Sequence, residues 1–171
     1  LLSRADVLVS NLAPGAFERI VSDEQMKQFP GLVRAHISGY GKNGPYSNRK
    51  AYDLLVQGES GVIASTGTEQ EKARPGISVG DLAGGLYAFA AINAALVQRA
   101  STGLGQRIDI SLFDALAEWM SPLLLAQKYS GVTPPPAGRG HASITPYGPY
   151  TSKDKEEIQI AVQNDGQWLR L

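Results

Sequence analysis

Cysteine is absent from the 171 residues. No disulfide framework, thiol nucleophile or cysteine-based metal site can therefore be built from them. Histidine is nearly absent: His36 and His141 stand far apart in the chain, with no metal-ligand spacing around them. No excess of charge exists either. Sixteen basic residues balance sixteen acidic ones, and such a balance points neither to nucleic acid nor to an anionic membrane surface. No Gly-x-Gly-x-x-Gly follows the first strand-like segment, which makes a dinucleotide enzyme a poor fit. Long apolar runs are scarce. The one candidate, residues 82–97, reads as too short and too alanine-rich to span a bilayer. The absence of cysteine fits a cytoplasmic protein, and no internal repeat is found.

What is present is ordinary in bulk. The chain is 43% hydrophobic and 19% charged, as in a soluble globular domain, and is long enough for one sizeable core. It opens at Leu1 directly into apolar sequence and closes in the helix-like Asp165-Gly166-Gln167-Trp168-Leu169-Arg170-Leu171. We expect a fragment of a longer protein.

Asp6-Val7-Leu8-Val9-Ser10-Asn11 reads as a short buried parallel strand. A Pro-Gly turn follows at Asn11–Ala16, then a helical turn through Phe17–Ile20. Ser22-Asp23-Glu24-Gln25 carries a capping-box pattern, and Leu32–Ser38 is a second strand. Strand, helix, strand in this order argues for an α/β fold with a parallel sheet. Ligands of such sheets bind at the carboxyl ends of strands. That directs attention to Asn11–Ala16 and to the loop after Ser38. The loop holds Gly39, Gly41, Gly44 and Pro45, then Arg49, Lys50, Ala51 and Tyr52. Glycines, two bases and a tyrosine suit a phosphate or carboxylate ligand, and a plain solvated loop has the same composition. Residues 54–61 read as a helix and 64–76 as a polar loop. Arg107–Ser111 reads as a strand. A helix follows with a kink at Pro122. Residues 133–140 form a proline-stiffened linker, 145–150 a turn and 157–162 a strand. The expected division is 1–130 as the main α/β portion, 131–142 as linker, and 143–171 as the start of a small domain.

The centre of interest is Gly80-Asp81-Leu82-Ala83-Gly84-Gly85. The segment after Asp81 is apolar on every side, the pattern of a buried helix, with Asp81 at its N-cap position. Two readings are open. Asp81 is a helix cap worth about 1 kcal/mol. Alternatively it is a nucleophilic carboxylate, favoured in its ionised form by the helix N-terminus, with Gly84 and Gly85 leaving room for a covalent adduct.

Several segments together resemble the class III CoA-transferases, the family of formyl-CoA transferase, carnitine CoA-transferase and α-methylacyl-CoA racemase. Ser10-Asn11-Leu12-Ala13-Pro14-Gly15-Ala16 is similar to the family's Asn-Phe-x-Pro-Gly turn. Gly39-Tyr40-Gly41 through Gly44-Pro45 resembles its glycine loop, and Gly80–Gly85 its catalytic Gly-Asp segment. Thr102–Leu112 resembles its Thr-Gly-x-Gly-Gln strand, and His141–Tyr150 also matches. The resemblance spans nearly the whole chain, whereas the family's chains are longer and interlock as homodimers. It implies a Rossmann-like large domain, the start of a smaller one, and a homodimer when full length.

The resemblance also implies chemistry. The residue matching Asp81 attacks an acyl-CoA thioester, giving a mixed anhydride and then an aspartyl-CoA thioester that an acceptor acid consumes. Coenzyme A and acyl-CoA are substrates, with no permanently bound cofactor and no metal. Asn11, Leu12, Ala13, Arg19, Arg49, Lys50, Ala51 and Tyr52 would border the CoA site, with Arg19 meeting a phosphate. In the racemase branch a His precedes the loop acid. Here the pair is Tyr52-Asp53, and a phenol, ionising near pH 10, is a poor base at neutral pH. Transfer between carboxylic acids is expected over α-methylacyl-CoA racemisation, with a non-catalytic nucleotide-binding module as the third reading. Small dicarboxylates, such as succinate with mesaconate, citramalate or itaconate, are the expected acids.

Overall fold

The computed structural model describes residues 1–171. In chain order its elements are β1 (Val7–Ser10), α1 (Asp23–Met26), β2 (Val33–Ser38), α2 (Asp53–Glu59), α3 (Val62–Ser65), α4 (Val79–Thr102), β3 (Arg107–Ser111), α5 (Leu112–Trp119), α6 (Ser121–Ser130), β4 (Tyr147–Thr151), β5 (Glu157–Ala161) and α7 (Asp165–Trp168). Two compact units result: residues 1–60 with 76–121, and residues 61–75 with 122–171.

The first unit is built on a parallel sheet in the order β1-β2-β3. Val7 pairs with Val33, and Ser38 at the end of β2 pairs with Ser111 at the end of β3. The α/β parallel-sheet expectation holds. The capping box also forms. The Ser22 hydroxyl accepts from the Gln25 backbone N–H, and the Gln25 side chain accepts from the Ser22 N–H. Phe17–Ile20 makes hydrogen-bonded turns rather than a helix.

Helix α4 corrects three expectations. It has 24 residues, so by length and composition it is long enough to cross a bilayer. It is not apolar and buried all round. Gly80, Ala83, Gly84, Ala88 and Ala95 are buried, and these positions recur at helical spacing on one face. Leu82, Leu86, Phe89 and Val97 on the opposite side are all more than half exposed. The buried face has almost no side chain beyond a methyl, so the helix backbone can lie close to the sheet. A Cβ on Gly84 would stand 2.3 Å from Cδ2 of Leu112 and 3.7 Å from Cγ2 of Ile37. Finally, Asp81 is not the N-cap. The helix begins at Val79, which places Asp81 as its third residue.

Leu116 of α5, Val56 of α2, and Val33 and Ala35 of β2 are fully buried and form the centre of this unit with Ala83. At the other end of the sheet, Gly105 lies against backbone. Its N–H donates to the Pro30 carbonyl, and a Cβ there would fall 2.3 Å from the Leu32 carbonyl oxygen.

Proline divides the helical stretch after β3. Pro122 has no N–H to give the Glu118 carbonyl four residues back, and two helices, α5 and α6, replace the expected single kinked one. In the second unit, β4 and β5 pair antiparallel, Tyr147 with Ala161 and Thr151 with Glu157. Residues 147–150, expected as a turn, are therefore strand. Gly148, at φ 145°, is the residue that lets the strand approach Gly140. Arg139 and Glu157 form an ion pair in the same unit. Within the polar loop after α3, Gly67 bridges Lys72.

Gly105→Ala is expected to lower stability by about 1–3 kcal/mol, because the new methyl meets main chain that cannot rotate away. Gly76→Ala, with open space around its Cβ, should change it by less than about 0.5 kcal/mol. Urea denaturation of both variants checks the difference.

Candidate active site

The three parallel strands end at Ser10, Ser38 and Ser111. The next residues, Asn11, Gly39 and Leu112, line one cleft together with Ile37, Ala51, Tyr52, Asp53, Asp81 and Gly85. Its volume is about 500 Å³. Asp81 is thus the carboxylate at the carboxyl ends of the strands, where a parallel sheet places its ligand. A second cleft of about 360 Å³ is lined by Asn11, Leu12, Ala13, Pro14, Ser38, Gly39, Arg49, Lys50, Ala51 and Tyr52. The two share Asn11, Gly39, Ala51 and Tyr52, so they are adjoining parts of one surface depression.

Local structure explains why the 39–52 loop returns to the sheet. A Cβ on Gly39 would lie 2.2 Å from Cβ of Ala51, so only glycine admits that approach. The Gly39 carbonyl accepts from the Phe113 N–H at 2.9 Å, tying the end of β2 to the start of α5. Ser38 Oγ accepts from the Gly41 N–H at 3.1 Å and opens the loop.

Of the residues expected at the site, the fold brings together Asn11, Leu12, Ala13, Arg49, Lys50, Ala51, Tyr52 and Asp81. Arg19 lines neither cleft. Its guanidinium lies beside Gly15 on the exposed turn after β1, 3.8 Å from where a Cβ on that glycine would be. Arg49 is already engaged: Nη1 is 3.2 Å from Glu59 Oε1, and the guanidinium sits 4.2 Å from the centre of the Tyr46 ring. Tyr52 is 79% exposed.

The two glycines after Asp81 have separate work. Gly84 faces Leu112 and the sheet, so it serves packing. Gly85 lines the cleft, with nothing within 4 Å of a Cβ built on it.

Partial desolvation first, and the negative charge of Asp53 second, push the Asp81 carboxyl above its ordinary value. The side chain nonetheless remains open to solvent. Asp53, noted in the sequence only as the loop acid after Tyr52, was not among the expected site residues. It is buried at 8% exposure, and its Oδ1 accepts from the Gly80 N–H at 2.8 Å. Its place as the first residue of α2, directly after Tyr52, was the available signal; its partner, 27 positions along the chain, was not visible. His36 lines a neighbouring cavity of about 230 Å³, edge-on to Phe17 with ring centroids 4.9 Å apart. Burial first, and then nearby Arg107, lower its pKa.

A carboxylate thus stands at the strand ends, beside a depression bordered by backbone, two bases and a tyrosine. Comparison with known proteins shows the family. The model of CoA-transferase family III matches residues 1–171, and the chain belongs to that family. Acetyl-CoA:oxalate CoA-transferase of Acetobacter aceti is 34% identical over 96% of the chain and 43% of its own length. Human succinyl-CoA:glutarate CoA-transferase is 34% identical over the whole chain and 40% of its own length. The crystal structure of a CAIB/BAIF family protein from Brucella suis superimposes with a TM-score of 0.86 at 34% identity, covering 99% of this chain and 45% of that one. The chain thus spans about two fifths of the length of the curated relatives it matches.

Gly85→Leu should leave the melting temperature unchanged or raise it, since leucine is a better helix former by about 0.8 kcal/mol and its Cβ meets nothing within 4 Å. The same side chain fills the space beside Asp81. We expect the full-length protein carrying it to lose affinity for an acyl-CoA about tenfold or more, measured by calorimetric titration.

Proposed function

We propose that the full-length protein is a CoA-transferase that moves coenzyme A between an acyl-CoA and a carboxylic acid, with Asp81 as nucleophile. The observation that carries this is the position of Asp81. It is the cleft's carboxylate nearest solvent, over three strand ends, and it opens onto the depression formed by Asn11–Ala13 and Arg49–Tyr52.

The chemistry runs as two exchanges. An Asp81 oxygen attacks the thioester carbonyl carbon; the C–S bond breaks and CoA leaves as thiolate, giving a mixed anhydride. The thiolate then attacks the Asp81 carbonyl of that anhydride. The donor acid departs with the electron pair of the broken C–O bond, and an aspartyl-CoA thioester remains. The acceptor carboxylate attacks this thioester and displaces the thiolate again. The thiolate takes the acceptor acyl group, and the Asp81 carboxylate is regenerated. Every step exchanges one activated acyl group for another, so no large free-energy drop traps an intermediate. Water would hydrolyse both covalent species, so bound substrates must exclude it. Ile37, Leu112 and the bare Gly85 form the apolar part of the lining around Asp81.

Coenzyme A would lie along the second cleft, its reactive end at Tyr52 and its anionic end towards Lys50 and Arg49. Arg19 remains a phosphate contact in this reading only if CoA extends across the turn after β1. A dicarboxylate is the acid we favour, because relatives are named for oxalate, glutarate and L-malate. The homodimer and the cytoplasmic location remain part of the proposal. Racemisation is disfavoured by Tyr52 standing where a base would be needed.

Incubation of the full-length enzyme with an acyl-CoA, followed by hydroxylamine, should convert Asp81 to its hydroxamate in a single labelled peptide. Asp81→Ala should reduce CoA exchange between acids by at least about 10³-fold, with the melting temperature essentially retained. A label on any other peptide, or α-proton exchange without transfer, would refute the assignment.

A further inference from the structure

Helix α4 has no side-chain cap from the residue before it. Ser78 precedes it, yet the Ser78 side chain caps nothing. At φ −78° and ψ 76°, with the Val79 N–H bonded back to the Ile77 carbonyl at 2.9 Å, Ser78 is the centre of an inverse γ-turn. That geometry spends the first helix N–H locally and leaves the second, Gly80, to find another acceptor.

The acceptor is Asp53, which is contributed by α2. Its Oδ1 takes the Gly80 N–H at 2.8 Å, and its Oδ2 takes Gln57 Nε2 at 2.6 Å. The approach requires glycine. A Cβ on Gly80 would lie 2.9 Å from that same Oδ1 and 3.4 Å from Leu116 Cδ1. Gln57 is fully buried, and its Oε1 has no hydrogen-bond partner. A carboxylate at a helix N-terminus is also favoured by the helix dipole. The bonded N–H belongs to the residue directly before Asp81.

Resting on the reading of Asp81 as nucleophile, we propose that Asp53 is a positioning residue for the reaction: its carboxylate is the cap of α4, supplied from another helix, and it holds the backbone from which Asp81 reaches the thioester. Asp53 does not touch the reacting atoms in this account. Its second effect is electrostatic. Around Asp81 the titratable neighbours in the cleft are Tyr52 and Asp53; the strand ends and α5 contribute Asn11, Ile37, Gly39 and Leu112, none of them charged. A fixed negative charge beside a carboxylate disfavours its ionised form.

Capping and charge can be separated. Asp53→Asn retains an oxygen for Gly80. Its new amide N–H can meet Gln57 once that side chain turns over to present its unpaired Oε1, so the bonds to Gly80 and Gln57 survive while the charge is lost. Asp53→Ala removes both bonds. Gly80→Ala retains Asp53 but displaces its carboxylate.

The test compares these three variants of the full-length enzyme with wild type, measuring kcat and KM for acyl-CoA across pH, together with hydroxylamine labelling. We expect Asp53→Ala and Gly80→Ala to lose kcat by about 10²-fold, with KM changed less than threefold. Asp53→Asn should recover most of that loss. It should also move the acid limb of the rate profile to lower pH, because the Asp81 carboxyl, freed of its like-charged neighbour, ionises more easily. An acid limb unmoved in Asp53→Asn, or wild-type kcat in Asp53→Ala, overturns the proposal. Should Asp53→Ala fail to fold, Gly80→Ala decides the positioning role: wild-type kcat there overturns it. Labelling keeps the two readings apart. Wild-type label on the Asp81 peptide with unaffected Asp53 variants sinks the positioning role only, whereas label elsewhere sinks the nucleophile.

Discussion

The approach of α4 to the parallel sheet governs the first unit. A helix lined by leucines is normally held away from its neighbour by its side chains. Here Gly80, Ala83, Gly84 and Ala88 are the buried face, so the helix start comes down among Ile37, Leu112 and Leu116. That contact places the first turn of α4 over the strand ends. It sets Asp81 beside Asn11 and Gly39 and brings the Gly80 N–H within reach of Asp53. A bulkier residue at either 80 or 84 would act on the site as well as on the packing.

On the proposed reading of Asp81 as nucleophile, the cleft supplies what a carboxylate lacks in water. In bulk water a carboxylate is heavily hydrated and a weak nucleophile. At the mouth of α4 it loses part of that hydration and faces another acid, both of which raise its pKa. A more basic oxygen is a better nucleophile, provided it is still ionised at neutral pH. The helix N-terminus works in the opposite sense and favours the ionised form. The side chain remains exposed on the cleft side, and the proposed reaction needs that access for the incoming thioester.

The exposed face of α4 was not foreseeable from composition. Residues 82–97 are apolar nearly throughout, and periodicity cannot separate a helix buried on all sides from one with small residues inward and large ones outward. The helix chose by size: glycine and alanine went to the sheet, and Leu82, Leu86, Phe89 and Val97 went outward. The N-terminal boundary was also out of reach. Asp81 has the residue type of a cap, but the capping side chain came from Asp53. Tyr147–Tyr150 carries glycine and proline, the signature of a turn, yet forms a strand, because β5 supplies the pairing.

Sequence alone determined the parallel α/β architecture, the capping box at Ser22, and the family, because each depends on residue order over short spans or on several motifs recurring in one order. It also singled out Asp81 and most of the residues beside it. Tertiary structure alone decided which of them meet: Asn11, Ala51, Tyr52 and Asp81 come from distant parts of the chain and share one cleft, whereas Arg19 lies outside it. It alone separated the packing role of Gly84 from the open position of Gly85. The physical reason is the same in each case. Burial and hydrogen bonding between distant residues depend on how closely two backbones approach, and that distance is set by packing across the fold rather than by local pattern.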